Sequence, residues 1–381
     1  MARLRGDDER VTPLELFFDL VFVLALTQCT TLMAHEPTWR GLAKGVLVLA
    51  VLWWSWVGYA WLTGVIDPED DLVRLSIFLA MAAFLVCALC VPHAFTNNAG
   101  AFAGAYGVVR TAHISLFLLA SREDPALRRA VLGLAMSSAG ATALLAAAAF
   151  ADGGLQGALW VAALVVDLGV PILLIDPAGW RLRPHHFAER HGLIVIIALG
   201  ESIVAIGVGA EIGLTLGTAT AAVLALIVTA ALWWLYFDVV ALVAARNLAR
   251  AEAGGMQNAM ARDSYSALHL PMVAGIALIA VGFKKTFGDV DAHLHTETAA
   301  ALFGGVAVYL LAHVAFRWRN IHTLNRQRVV AAVVCLALLP ATTAMPALAA
   351  LGLLAGLLAG LVAYERIRFA EARARLRSEL L

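Results

Sequence analysis

Charge is what this sequence has least of: 14% of its 381 residues are Asp, Glu, Lys or Arg, against roughly a quarter in soluble domains. That scarcity excludes an ordinary solvated surface. Cysteine is also sparse. All four, Cys29, Cys87, Cys90 and Cys335, fall inside apolar runs, which argues against an external disulfide framework. Cys87 and Cys90 form a CxxC in the middle of a run, where helix packing is a better reading than redox chemistry. No Walker loop, dinucleotide fingerprint, nucleophile elbow or zincin motif occurs, so no standard soluble-enzyme chemistry is indicated. No cofactor, resident metal or nucleic-acid partner is expected. The formal net charge is zero and says nothing about partners.

What is present is apolar length. Hydrophobic residues make up 62% of the chain and its mean hydropathy is +0.84. The runs extend for about twenty residues, the length a bilayer demands, and only helices satisfy their own backbone in lipid. The expected fold is therefore an all-α polytopic membrane protein of about twelve transmembrane helices, at 14–34, 41–63, 73–92, 98–120, 128–150, 155–175, 190–210, 217–245, 264–284, 297–317, 328–346 and 348–366. The N-terminus runs through Arg3, Arg5 and Arg10 directly into a full-length span, so no cleavable signal peptide is expected. With the N-terminus inside, the cytoplasmic segments hold 22 Lys and Arg, and the outer loops and their flanks hold four. That bias fits an even number of crossings with both termini in the cytoplasm of a bacterial inner membrane. Membrane lipids are the expected surroundings, and the sequence leaves the oligomeric state open.

The halves read as a tandem repeat, 1–175 and 176–381, of six helices each in parallel orientation. Glu15 with the run 20–28 matches Glu189 with 194–202, Trp53-Trp54 matches Trp233-Trp234, and Ala112-His113-Ile114 matches Ala312-His313-Val314.

Ionisable groups in a bilayer cost at least a few kcal/mol and are functional candidates by default. Counting from span ends, Arg110, Asp167 and Glu201 fall near the midplane, while Asp19, His113, Asp238, His269 and His313 lie within roughly 11 Å of the cytoplasmic end. Five carboxylates then oppose one arginine, a net-negative interior that favours cations or protons over anions. Glu15 and Asp19 are i, i+4 and share a helix face, so they raise affinity for a proton or cation or need a basic partner. Arg110 and His113 are i, i+3, with Tyr106 a turn earlier. A structural alternative stands beside each: Arg110 neutralised by Asp167 or Glu201, and Asp19 and Asp238 paired with interfacial arginines such as Arg74 or Arg246. His185, His186 and His191 read best as headgroup-level anchors, and the stretch Asp289 to Glu297 as a solvated loop.

The segment Pro13 to Val23, with Phe17, Phe18, Asp19, Ala25 and Gln28, resembles the opening motif of the bacterial low temperature requirement protein A family. Phe187 to Leu193, with Glu189, Arg190 and Gly192, and on through Gly200-Glu201, is similar to that family's second hallmark. Trp53-Trp54, Trp233-Trp234 with Phe237-Asp238, and His269, Pro271 and Gly275 also fit. The resemblance covers most of the chain. It implies a membrane location and a link to growth at low temperature, and no established molecular activity. Lys284-Lys285 stands where the resemblance implies a more acidic helix end. More loosely, Phe17 to Phe22 is similar to the first-helix signature of the two-repeat, six-helix potassium channels, with Phe18 in place of serine.

Together these features point to a transporter or channel for a cation, proton or small polar solute, with Glu15, Asp19 and Asp238 at the inner mouth and Arg110, Asp167 and Glu201 deeper. A non-transport scaffold or stress-response factor is the alternative, and a membrane-embedded enzyme the remaining one.

Overall fold

The computed structural model describes residues 10–209, 215–371 and 373–374. Arg3 and Arg5 of the N-terminus, and Arg375 and Arg377 of the basic tail, lie outside the described residues. The twelve expected segments each coincide with helix, here α1 (Pro13–His35), α2 (Trp39–Thr63), α3 (Asp71–His93), α4 (Ala99–Ala120), α5 (Pro125–Ala148), α6 (Gly153–Leu174), α7 (Pro184–Gly209), α8 (Leu216–Arg250), α9 (Gly255–Gly288), α10 (Thr296–Ile321), α11 (Arg326–Thr342) and α12 (Ala347–Arg368). Eleven are long and apolar enough to cross a bilayer. α11, at 17 residues, is the short one.

Local chemistry sets the boundaries. Asp70 caps α3 by accepting from the Leu72 and Val73 N–H groups, and Asp124 caps α5 through Ala126 and Leu127. Thr215 and Thr218 form a reciprocal capping box at α8, each satisfying a donor that the helix leaves orphaned. Three helices carry π-turns: Val165–Gly169 in α6, Ala261–Ala267 in α9 and Ala300–Gly304 in α10. Large apolar side chains lie on outer faces, such as Leu75, Leu79 and Leu89 of α3 and Val223 and Leu226 of α8. A lipid solvent requires this arrangement of a membrane protein.

The chain divides into two compact units. The first comprises Met1–Leu32, Ala43–His191 and Leu248–Ser266, and the second Met33–Leu42, Gly192–Asn247 and Ala267–Leu381. In the first, α3 packs on α4, α4 on α5 and α5 on α6. Its core is aromatic: Phe18 lies 4.7 Å from Tyr59, and Trp53 4.9 Å from Trp56, ring to ring. In the second, α9 packs on α10, α10 on α11 and α8 on α12. The α9–α10 crossing is tight, because Gly275 and Gly305 face one another. A Cβ on Gly275 would stand 2.7 Å from the Gly305 carbonyl oxygen, so both backbones use the missing side chains to approach.

Candidate functional site

Two buried polar clusters occupy the first unit. In one, α1 presents Glu15 and Asp19 on a single face, as their spacing requires, and Arg190 of α7 answers both. Its Nη2 stands 2.6 Å from Asp19 Oδ1 and its Nη1 3.2 Å from Glu15 Oε1 and 3.1 Å from Thr63 Oγ1. The Trp56 indole N–H donates to Asp19 Oδ1 at 2.7 Å. The Arg190 guanidinium lies over the Trp56 ring, 5.6 Å from its centroid. His186 Nε2 is 2.8 Å from Glu15 Oε1. Glu15, Asp19, His186 and Arg190 are all at most 3% exposed. Among the described residues, Asp19 Oδ2 and Arg190 Nε have no hydrogen-bond partner although they are buried.

The second cluster joins α4, α5 and α6. Arg110 Nη2 lies 2.9 Å from Asp167 Oδ1, and Arg110 Nε donates to Ser138 Oγ at 3.1 Å. Arg110 Nη2 also donates to Ser138, Ser138 in turn to Asp167 Oδ1, and the Tyr106 hydroxyl to Asp167 Oδ2. Asp167 sits inside the Val165–Gly169 π-turn. Four residues on is Pro171, whose ring would clash with the Asp167 carbonyl in a regular helix and which donates no N–H. The wide turn relieves that conflict in the same residues that aim Asp167 at Arg110. His113, one turn beyond Arg110, is fully buried between Tyr59 and Phe117, with ring centroids 5.2 and 5.1 Å away. Tyr59 thereby touches both clusters' elements, since it also packs on Phe18.

In the second unit, Glu201 pairs with Lys284 Nζ at 3.2 Å. α7 starts six residues earlier than its apolar run suggests, so Glu201 falls in its last third instead of mid-helix. His269 Nε2 meets the Tyr236 hydroxyl at 2.7 Å. Buried Arg328, near the start of α11, reaches His313 Nδ1 at 2.7 Å, the Leu235 carbonyl at 3.0 Å and Glu365 Oε2 at 2.7 Å. Asp238 pairs with Arg373, whose guanidinium, with that of Arg366, lies over Trp234.

Residues 10–363 match the model of the family described as Bacterial low temperature requirement A protein (LtrA). The chain belongs to this family. It is also 33% identical over 279 residues, 70% of this chain and 67% of the relative, to an uncharacterized protein of Rhizobium meliloti (strain 1021). No solved structure matches the chain.

Within this LtrA-family chain the two hallmark segments meet, because Arg190 of the second holds Glu15 and Asp19 of the first. Phe18 is buried, Phe17 is exposed and Gln28 is half-buried. Glu189 is exposed and accepts from the Val11 N–H at 3.4 Å. Gly192 and Gly200 are half-buried, and Gly200 has open space where a Cβ would be.

Three expectations are corrected. Asp19 pairs with Arg190 and not with Arg74, which pairs with Glu69 and Asp71 beside the start of α3; Asp238 pairs with Arg373. His186 and His191 are buried and contact other side chains of the protein instead of its surroundings, His191 standing 5.1 Å from the Trp56 ring. The interior is not net negative by four. Arg190, Lys284 and Arg328, which by sequence position fall at the ends of the apolar runs, reach inward to carboxylates. Each in-span carboxylate named from the sequence has a basic partner.

Proposed function

We propose that this protein is a carrier that moves a small polar solute or proton across the bacterial inner membrane, with both termini in the cytoplasm. The observation that carries the reading is the arrangement at Asp19. A carboxylate with one oxygen left without a hydrogen-bond partner among the described residues shares a fully buried arginine with a second carboxylate. Such a group is costly inside a membrane unless it works, and a proton or solute donor arriving at Asp19 Oδ2 would release Arg190 toward Glu15. Arg110 and Asp167 form the second exchangeable pair. The balanced charge favours a proton or polar solute over a bare inorganic cation.

The tandem repeat, 1–175 and 176–381, belongs to this reading. It is supported by the like order of packing, α3 to α6 and α9 to α12. It is also supported by the recurrence of a buried histidine beside a tyrosine, His113 with Tyr59 and His313 with Tyr236. The contact units follow these halves except for 33–42, 176–191 and 248–266.

Proteoliposomes loaded with pyranine under a clamped potassium potential test the proposal. Proton movement is expected in the native protein and is expected to fall at least about tenfold in Asp19→Asn, the size of effect that losing one charge-assisted contact produces. Equal rates in the native, Asp19→Asn and Asp167→Asn proteins would remove the assignment. The scaffold reading is favoured by the pairing of every named carboxylate, and it predicts no flux from folded native protein.

A further inference from the structure

Beside the Arg110 cluster the first unit leaves a cavity of about 50 Å³. Its walls are Trp54, Trp61 and Trp180, and Arg110, His113 and Arg262 are its charged and titratable lining. Arg110 spends Nε and Nη2 on Ser138 and Asp167, and Nη1 makes no hydrogen bond among the described residues. His113 is fully buried, its ring set against the Gly58 backbone, and no side chain among the described residues hydrogen-bonds either ring nitrogen. The carboxylates that balance the two arginines, Asp167 and Asp263, are not among the lining residues. The cavity therefore presents N–H donors to its contents, backed by indole faces.

We propose that this cavity binds a short-chain carboxylate, with its oxygens toward Arg110 Nη1 and the His113 ring and its alkyl end among Trp54, Trp61 and Trp180. An arginine N–H and a carboxylate make a strong charge-assisted bond, and a mostly apolar cavity with a few convergent donors is the usual form of a small-molecule site. Size selects the class. A cavity of about 150 Å³ takes benzene, and this one is a third of that, so it admits no carboxylate larger than formate or acetate and excludes an aromatic acid. The same lining offers a small ammonium cation no carboxylate. The assignment rests on the carrier reading for its purpose, since a bound carboxylate would be the solute carried.

Gly58 makes the site testable. A Cβ there would stand 2.7 Å from His113 Cε1 and 3.2 Å from Arg110 Nη1, so Gly58→Ala fills the space where ring and guanidinium converge. Detergent-purified protein is titrated at constant ionic strength with sodium acetate, sodium nitrate and methylammonium chloride, reading tryptophan fluorescence and the apparent Tm. A saturable response to acetate is expected, with a response to nitrate or methylammonium at least about tenfold weaker. Gly58→Ala is expected to weaken acetate binding by about tenfold or more, a difference of about 1.4 kcal/mol. His113→Leu, which keeps the bulk and removes both nitrogens, is expected to do the same and serves if Gly58→Ala does not fold. No saturable response, an equal response to nitrate, or native affinity in folded His113→Leu would overturn the site. Acetate binding by a protein that moves neither protons nor acetate keeps the site and removes the carrier reading; flux without acetate binding does the reverse.

Discussion

Arg190 Nη2 lies 2.6 Å from Asp19 Oδ1 while Nη1 of the same guanidinium lies 3.2 Å from Glu15 Oε1, all three side chains being buried. One cation thus serves two acids a helical turn apart, which explains how two like charges coexist on one face of α1.

Removal of that cation leaves both acids in a low-dielectric interior. Arg190→Met is expected to destabilise the protein by about 3–5 kcal/mol, read as a lowered apparent Tm and a smaller monodisperse fraction in detergent. Arg190→Lys, able to reach one carboxylate at a time, falls between the two. A Tm for Arg190→Met equal to the native value would show that the contact contributes nothing.

The Arg110–Asp167 pair is expected to show coupling. Arg110→Met and Asp167→Leu each strand a buried charge and cost about 3–5 kcal/mol. The double replacement substitutes apolar volume for both charges and costs less than the sum. Apparent Tm values for the four proteins give the coupling; simple additivity would mean that the two side chains act independently.

Asp124 supplies a pH signature. The Leu127 backbone N–H foremost, then Arg181 and the Ala126 N–H, holds its carboxyl below the ordinary carboxylate range. A depressed acid contributes stability that is present above its unfolded value of about 3.9 and is lost as pH falls through its folded one. Asp124→Asn keeps a capping oxygen and is expected to lose less stability as pH falls below about 4. Asp124→Ala removes the cap and costs about 1 kcal/mol at neutral pH. Parallel melting curves for native and Asn proteins from pH 6 to 3 would refute the linkage.

Helix number, the shared face of Glu15 and Asp19 and their need for a base, and the placing of Arg110 and Asp167 inside apolar helices were legible in the sequence, because length and 3.6-residue periodicity act within one segment. Partnership was not. Arg190 is 171 residues from Asp19, and no local pattern says which distant helix will face it. Arg190 also lies only a few residues beyond Arg181 and Arg183, so it reads as one of a set of loop charges, although the helix begins at Pro184 and carries it inward. Arg328 misleads in the same way, because it follows Arg326 at the start of α11 yet lies 3% exposed against Glu365. The π-turn at Asp167 was invisible as well, although Pro171 is its local cause.

That wide turn has a structural consequence for α6. A π-turn holds one residue more than an α-turn, so it behaves as an insertion absorbed without breaking the helix. Upstream and downstream of it, the two stretches of α6 point their side chains as if they came from helices rotated by about 100° relative to each other. Trp160 and Pro171 therefore face in directions that no uninterrupted helix could combine, and a single-residue deletion between them would turn one of the two buried surfaces outward into lipid.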